Sequence, residues 1–140
     1  MSFILLLFAH LVADFYLQSR EMGKKKSYEI KWLIGHLSII FGVLLFPSFI
    51  LFCDVPTALG FVLVNVGVHG LIDWNIWRGY KYSVVRRFPM YHPGQVKEQL
   101  KSGIIAPEFR FWDDEAFYST IGLDQFLHCS IMFISWKLLI

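Results

Sequence analysis

The chain has 140 residues and a formal net charge of +2, and 56% of its residues are hydrophobic. Its mean hydropathy of +0.51 and its aromatic content of 18% are high for a soluble domain of this size, which would expose large apolar patches. The composition therefore indicates an integral membrane protein with a single domain over residues 1–140. The basic residues are clustered beside apolar segments. Such clusters are typical of the cytoplasmic side of a membrane protein, so we do not expect a nucleic-acid partner.

Four apolar segments are long enough, or nearly so, to cross a bilayer as helices, because a helical span needs about twenty residues. They are residues 2–18, 32–53, 56–77 and 116–139. Pro47 predicts a kink in the second segment, and Pro56 suits the first turn of the third. We therefore predict an all-α polytopic membrane protein built as a four-helix transmembrane bundle.

The segment 78–115 is polar and too long for a bare loop, so we expect a cytoplasmic segment with a short surface helix near 94–102. Basic residues in this segment and in "SREMGKKKSYEIK" place both loops in the cytoplasm by the positive-inside rule. Both termini would then lie outside the bacterial inner membrane. Cys53 and Cys129 lack the spacing of a metal site and are expected to be buried apolar residues.

Ionisable residues interrupt the apolar segments at helical spacing, as in "HLVAD", "HGLID" and "DQFLH". Residues four apart lie on one helix face. With alternating helix directions, all of these residues fall in the cytoplasmic half of the bilayer. Each costs about 2.5–3.5 kcal/mol in a span, so we expect them to converge on one site. They are His10, Asp14, His36, His69, Asp73, Asp124 and His128.

Histidine and carboxylate side chains are ligands for zinc, iron and manganese. We therefore predict that these seven residues bind a divalent metal, zinc first, as one or two ions. Asp73 or Asp124 could act as the catalytic base. Gln18, Asn65 and Gln125 are expected to support the ligands through hydrogen bonds. The alternative is a purely structural hydrogen-bond network between helices.

The sequence resembles a family of small bacterial and phage integral-membrane proteins of uncharacterised function. The resemblance rests on "HLVADFYLQS", on "GH" in the second segment, on "HGLID" and on "DQFLH", and it covers residues 1–140. It implies that the signature positions are His10, Asp14, Gln18, His36, His69, Asp73, Asp124, Gln125 and His128. Such proteins often have a lysine a few residues after the third-span aspartate, whereas this chain reads "DWNIWRGYK". A weaker likeness, of motif type only, is to membrane-bound metal-dependent hydrolases.

Three functions fit these patterns. The first is a membrane-embedded metal-dependent hydrolase that acts on a lipid or small substrate at the cytoplasmic face, with a metal-activated water. The second is a transporter of a metal ion or proton, although the polar groups occupy only one half of the bilayer. The third is a non-enzymatic phage or host membrane interaction protein with a structural metal or hydrogen-bond site. We rank the hydrolase first, and a homo-oligomer is compatible with all three.

Overall fold

The computed structural model describes residues 2–87 and 113–139, and its regular elements there are helical. In chain order they are α1 (Ser2–Leu11) with a π-helical turn (Val12–Tyr16), α2 (Arg20–Lys25), α3 (Ile30–Phe52), α4 (Val55–Arg87) and α5 (Glu115–Leu139). The all-α prediction is confirmed for this part of the chain. The four predicted apolar segments correspond to α1 with its π-helical turn, α3, α4 and α5.

Two elements depart from the four-helix prediction. α4 continues to Arg87, ten residues beyond the predicted end of the third segment at residue 77. The short helix α2 lies where we predicted a loop. Ser19 precedes this helix, and its Oγ accepts a hydrogen bond of 3.2 Å from the Met22 amide and so caps the helix N-terminus. The surface helix predicted near 94–102 lies outside the described residues.

The four long helices form a ring, because α4 packs against α3 and α5, and α1 packs against the same two helices. One layer of this bundle is apolar. Its buried side chains come from all four long helices and include Leu6, Ile40, Leu44, Phe61 and Met132. The next layer along each helix contains the predicted ionisable residues, which are described below.

Gly70 permits the close approach of α3 and α4. A Cβ atom at this position would lie 2.9 Å from Leu37 Cδ1, which is shorter than an ordinary van der Waals contact. An alanine at this position would require the end of the half-buried Leu37 side chain to shift, so α3 and α4 pack closely beside His69.

The connection between α3 and α4 is a tight turn around Cys53 and Asp54. Cys53 has a left-handed conformation with φ of 56°, which ends α3, and it is exposed. The prediction that Cys53 is buried is therefore wrong, because the residue terminates a helix instead of packing against one. Asp54 Oδ1 then accepts a hydrogen bond of 2.9 Å from Thr57 N and caps α4.

Two of the described helices are long and apolar enough to cross a membrane, Ile30–Phe52 and Val55–Arg87. Phe3–Tyr16 is apolar but shorter. Core helices of soluble proteins can have a similar length and composition. The two helices therefore weakly suggest membrane association.

Candidate metal centre

The structure brings all seven predicted ionisable residues into one cluster beside the apolar layer. Each of them is at most 4% exposed. α1 and its π-helical turn supply His10 and Asp14, α3 supplies His36, α4 supplies His69 and Asp73, and α5 supplies Asp124 and His128. The helical spacing read from the sequence thus corresponds to a shared location in the folded chain.

The π-helical turn changes the expected arrangement at the first pair. Asp14 lies within this turn, and its Oδ1 lies 3.3 Å from Nε2 of His36 on the neighbouring α3. A π-helical turn inserts an extra residue into the helix and occurs frequently at functional sites. In the regular helix α4 the expected pair does form, with His69 Nε2 at 3.2 Å from Asp73 Oδ2.

His69 contacts each of the other three histidines. Nε2 of His36 lies 2.9 Å from Nε2 of His69, which is within hydrogen-bond distance. The rings of His69 and His128 stack, with centroids 3.9 Å apart and an interplanar angle of 7°. His10 packs edge-on against both of these rings, with centroid distances of 5.3 Å.

Lys26 is the member of the cluster that sequence reasoning missed. Its Nζ lies 2.8 Å from Asp73 Oδ1, 3.4 Å from Asp14 Oδ1 and 3.3 Å from His36 Nε2. The sequence predicts Lys26 to lie in a basic cytoplasmic loop with its two lysine neighbours. The charge balance of the sequence could have indicated this residue. Three carboxylates buried among apolar segments require a cation, which is either a metal ion or a basic side chain.

Three overlapping groups of three residues have the geometry to hold a metal ion. In each group one donor atom per residue lies within 4.8 Å of the other two. The first triad is His10, His69 and His128, the second is Asp14, His36 and His69, and the third is Asp14, Asp124 and His128. All of these residues are buried.

Unsatisfied polar atoms within the triads test whether a cation fits. Among the described residues, no hydrogen-bond partner is present for His10 Nε2, for either ring nitrogen of His128 or for Asp124 Oδ1. A buried polar atom without a partner costs about 1–3 kcal/mol. These nitrogen and oxygen donors therefore fit a divalent cation in the first or third triad. In the second triad, the Lys26 ammonium competes for Asp14 and His36.

The three predicted supporting amides differ in what they contact. Gln125 Nε2 donates to Asp14 Oδ2 at 2.7 Å and to Asp124 Oδ2 at 3.2 Å, so it links two candidate ligands. Asn65 instead donates to Ser135 Oγ at 2.9 Å and to the Phe61 carbonyl at 2.8 Å. Asn65 therefore joins α4 to α5. The third amide, Gln18, lines the cavity described next.

A cavity of about 360 Å³ adjoins the cluster on the side away from the apolar layer. Its α4 residues follow Asp73 in the chain, and its α5 residues lie between Phe117 and Gln125. Asp14, Asp124, Gln125 and Lys26 belong to both the cluster and the cavity wall. A molecule in the cavity would therefore contact the candidate metal centre directly.

Beyond this cavity, Asp114 connects α4 to α5. It receives two hydrogen bonds from the Arg87 guanidinium, at 2.8 and 2.7 Å, and one of 2.9 Å from the Tyr80 hydroxyl. The bond to Arg87 lowers the pKa of the Asp114 carboxyl below its ordinary value of 3.8. Asp114 Oδ1 also accepts from Ala116 N at 3.2 Å, as expected of an acidic residue at the start of a helix.

A protein-family comparison matches residues 2–140 to the family described as "Protein of unknown function (DUF3307)". The chain belongs to the DUF3307 family. The resemblance to an uncharacterised family is therefore confirmed, while the motif assignments and the likeness to hydrolases remain predictions for this DUF3307 protein. No curated protein and no solved structure matches the chain.

Proposed function

We propose that this DUF3307 protein is a membrane-embedded metal-dependent hydrolase that acts on a lipid or small substrate at the cytoplasmic membrane face. The observation that carries the proposal is the set of three buried triads with unpaired donor atoms beside a cavity of about 360 Å³. Buried ligands next to an accessible cavity are the arrangement that a catalytic metal requires, since the substrate must reach the ion.

The overlap of the triads is compatible with either one ion or two. Asp14 belongs to the second and third triads, so it would be a shared ligand if the site held two ions. The first triad consists only of histidines, the ligand set of several catalytic zinc sites. Zinc is therefore the first candidate. Because Lys26 competes for the second triad, we expect the first or third triad to be occupied before it.

A bound divalent ion would supply Lewis acidity and lower the pKa of a coordinated water to about 7. With an ion in the first triad, Asp124 would be the better placed of the two predicted catalytic bases, because it lines the cavity and its Oδ1 is unpaired. With an ion in the third triad, Asp124 would be a ligand instead. Asp73 is not among the cavity-lining residues and is paired with Lys26 and His69, so it positions these side chains. Lys26 also lines the cavity, so its positive charge lies near the position that a substrate would occupy.

The outer surfaces of the long helices support a location in the bilayer. Large apolar side chains there are exposed, among them Phe8, Phe46, Leu63, Phe126 and Leu138. Exposed apolar surface on this scale is unusual for a soluble monomer. In the proposed topology the basic loops are cytoplasmic and both termini lie outside the inner membrane, so the metal centre is near the cytoplasmic side.

Transport of an ion or proton ranks below hydrolysis. Among the described residues, the layer beyond the histidines is apolar and buried, with Ile40, Leu44 and Phe61 across the bundle. A permeant ion would need polar groups along its whole path.

Metal analysis of the purified chain tests the proposal. We expect protein prepared without chelators to contain about one or two zinc ions per chain by mass spectrometry. Asp124→Asn and His128→Gln should each lower this content, while Asp54→Asn should leave it unchanged because asparagine also caps a helix. A folded wild-type protein without metal would overturn the metal centre. A metal-loaded protein that hydrolyses no lipid ester, amide or phosphoester would overturn the hydrolase.

A further inference from the structure

The cavity beside the metal centre combines a cationic part with an aromatic part. The cationic residues are Arg20, Lys24, Lys26 and Lys81, and the apolar ones are Phe15, Trp77, Tyr80, Phe117 and Ile121. Such a division suits a ligand with a negatively charged group at one end and a hydrocarbon portion at the other.

Lys81 is the clearest indication of an anionic ligand. It is only 4% exposed, and its ammonium donates to the Lys24 carbonyl and, at 3.2 Å, to Ser27 Oγ. Both acceptors are neutral, and no carboxylate of the described residues lies within ion-pair distance of Lys81. A buried ammonium without a counter-charge is costly, and a bound anion would remove that cost.

Arg20 and Lys24 add two further cations at the same cavity. They are four residues apart on α2, so both lie on one face of that helix. Neither forms an ion pair within the part of the chain that the structure describes, whereas the adjacent Lys25 pairs with Glu21 at 2.8 Å. Lys26 is already balanced by aspartates. Three cationic residues of the cavity wall, Arg20, Lys24 and Lys81, therefore have no carboxylate partner among the described residues. The cavity wall contains one carboxylate that is not paired with a lysine, that of Asp124.

The aromatic part of the cavity leads to the outer surface. Trp77 and Phe117 pack together, with ring centroids 6.0 Å apart. Phe15 forms part of the same wall and is 56% exposed, beside Tyr16, which is 85% exposed. A hydrocarbon chain could therefore extend from the cavity along Phe15 toward the apolar exterior of the bundle.

We propose that this cavity binds a phosphate-bearing lipid. The phosphate contacts Arg20, Lys24 and Lys81, because arginine and lysine bind phosphate through charge-assisted hydrogen bonds. The hydrocarbon portion packs against Phe15, Trp77 and Phe117. The inference rests on the proposed function in one respect: it names the substrate class of the candidate hydrolase, since the bound headgroup would lie beside Asp124 and Gln125.

Binding to the full chain in detergent tests the proposal, with phosphatidic acid as the lipid, diacylglycerol as its uncharged counterpart and glycerol 3-phosphate as its soluble one. We expect phosphatidic acid to bind at least about tenfold more tightly than either of the others, since only this ligand uses both parts of the cavity. Equal affinity for glycerol 3-phosphate would show a soluble phosphate ester as the ligand and would overturn the lipid. Equal affinity for diacylglycerol would overturn the cationic site.

Neighbouring lysines on α2 provide a matched pair of variants. Lys24→Gln should weaken phosphatidic acid binding about 3–10-fold, since it removes one phosphate contact. Lys25→Gln should change it less than about twofold, because Lys25 does not line the cavity. Lys24 is exposed and Lys25 is partly exposed, so neither substitution disturbs the buried core. Indistinguishable effects of the two substitutions would overturn the proposed phosphate position.

Removal of the metal by a chelator distinguishes lipid binding from the metal-dependent function. The proposed phosphate ligands belong to the chain itself, so chelator-treated protein should retain at least about half of its affinity for phosphatidic acid. Phe15→Ala should weaken the binding of phosphatidic acid and leave that of glycerol 3-phosphate unchanged. Metal-containing protein that does not bind phosphatidic acid would overturn the inference alone. Protein that was purified without chelators, contains no metal and still binds phosphatidic acid would overturn the proposed function alone.

Discussion

Lys26 Nζ lies 2.8 Å from Asp73 Oδ1 in the interior of the bundle, and both side chains are buried. This ion pair connects the segment after α2 to the middle of α4. It also neutralises one of three aspartates in a cluster that contains four histidines. The pair therefore contributes to the fold and to the charge balance of the candidate metal centre.

Removal of the Lys26 charge should destabilise the protein strongly. Lys26→Met leaves Asp73 buried without its cation, and breaking a buried pair in this way costs about 3–5 kcal/mol. Lys25→Met is the matched control, because its partially exposed pair with Glu21 contributes about 0–1 kcal/mol. Thermal unfolding in detergent measures both variants. A Lys26→Met protein as stable as Lys25→Met, without added metal, would contradict the structural role of the pair.

Added zinc should restore part of the stability that Lys26→Met loses. The substitution frees Asp14 and His36 of their competing ammonium, so the second triad becomes available to an ion. A ligand that binds only the folded state raises its stability in proportion to the logarithm of its concentration. We expect a larger zinc-dependent rise in Tm for Lys26→Met than for the wild type. An equal rise would indicate that Lys26 and the metal do not compete.

Two glycines of α4 should respond oppositely to alanine. Gly67→Ala meets no atom within 4 Å and should stabilise the helix by about 1 kcal/mol, because alanine has the higher helix propensity. Gly70→Ala brings a Cβ to 2.9 Å from Leu37 Cδ1, so Leu37 must move and the gain is lost. Unfolding measurements should rank Gly67→Ala above wild type and Gly70→Ala at or below it. The double variant Gly70→Ala with Leu37→Ala should remove the clash.

Cys53→Gly should stabilise the turn between α3 and α4. Cys53 has a φ of 56°, a conformation that costs an ordinary residue about 1 kcal/mol and that glycine adopts freely. The side chain is exposed, so little packing is lost. We expect an increase of about 0.5–1 kcal/mol in the free energy of unfolding. Cys53→Ala retains the strained backbone and should show no such increase.

The Asp114–Arg87 contact should make stability depend on acidic pH. The guanidinium lowers the pKa of Asp114 in the folded protein, so the contact stabilises the fold above the ordinary carboxyl pKa of 3.8. This contribution is lost as the pH falls through the lowered value. The Tm difference between wild type and Asp114→Asn should therefore be larger at pH 7 than at pH 3. A difference that is constant between these pH values would contradict the assignment.

The helical elements of the site were predictable from local sequence. Residues four apart share a helix face in any regular helix, so the pair of His69 and Asp73 follows from spacing alone. Hydropathy located the long helices because apolar runs of that length adopt few other structures. The same rule was less accurate for Asp14, since nothing in "HLVAD" signals the π-helical turn that directs this side chain to α3.

The sequence by itself determined an all-α chain and the positions of seven ionisable residues on its helices, because both depend on periodicity over a few residues. Only the tertiary structure decided that Lys26, and neither of its two lysine neighbours, enters the cluster. Three consecutive lysines have the same local properties, and the path of the chain after α2 selects which ammonium is buried. The cavity is likewise a tertiary feature, since α2, α4 and α5 contribute its walls from distant parts of the sequence.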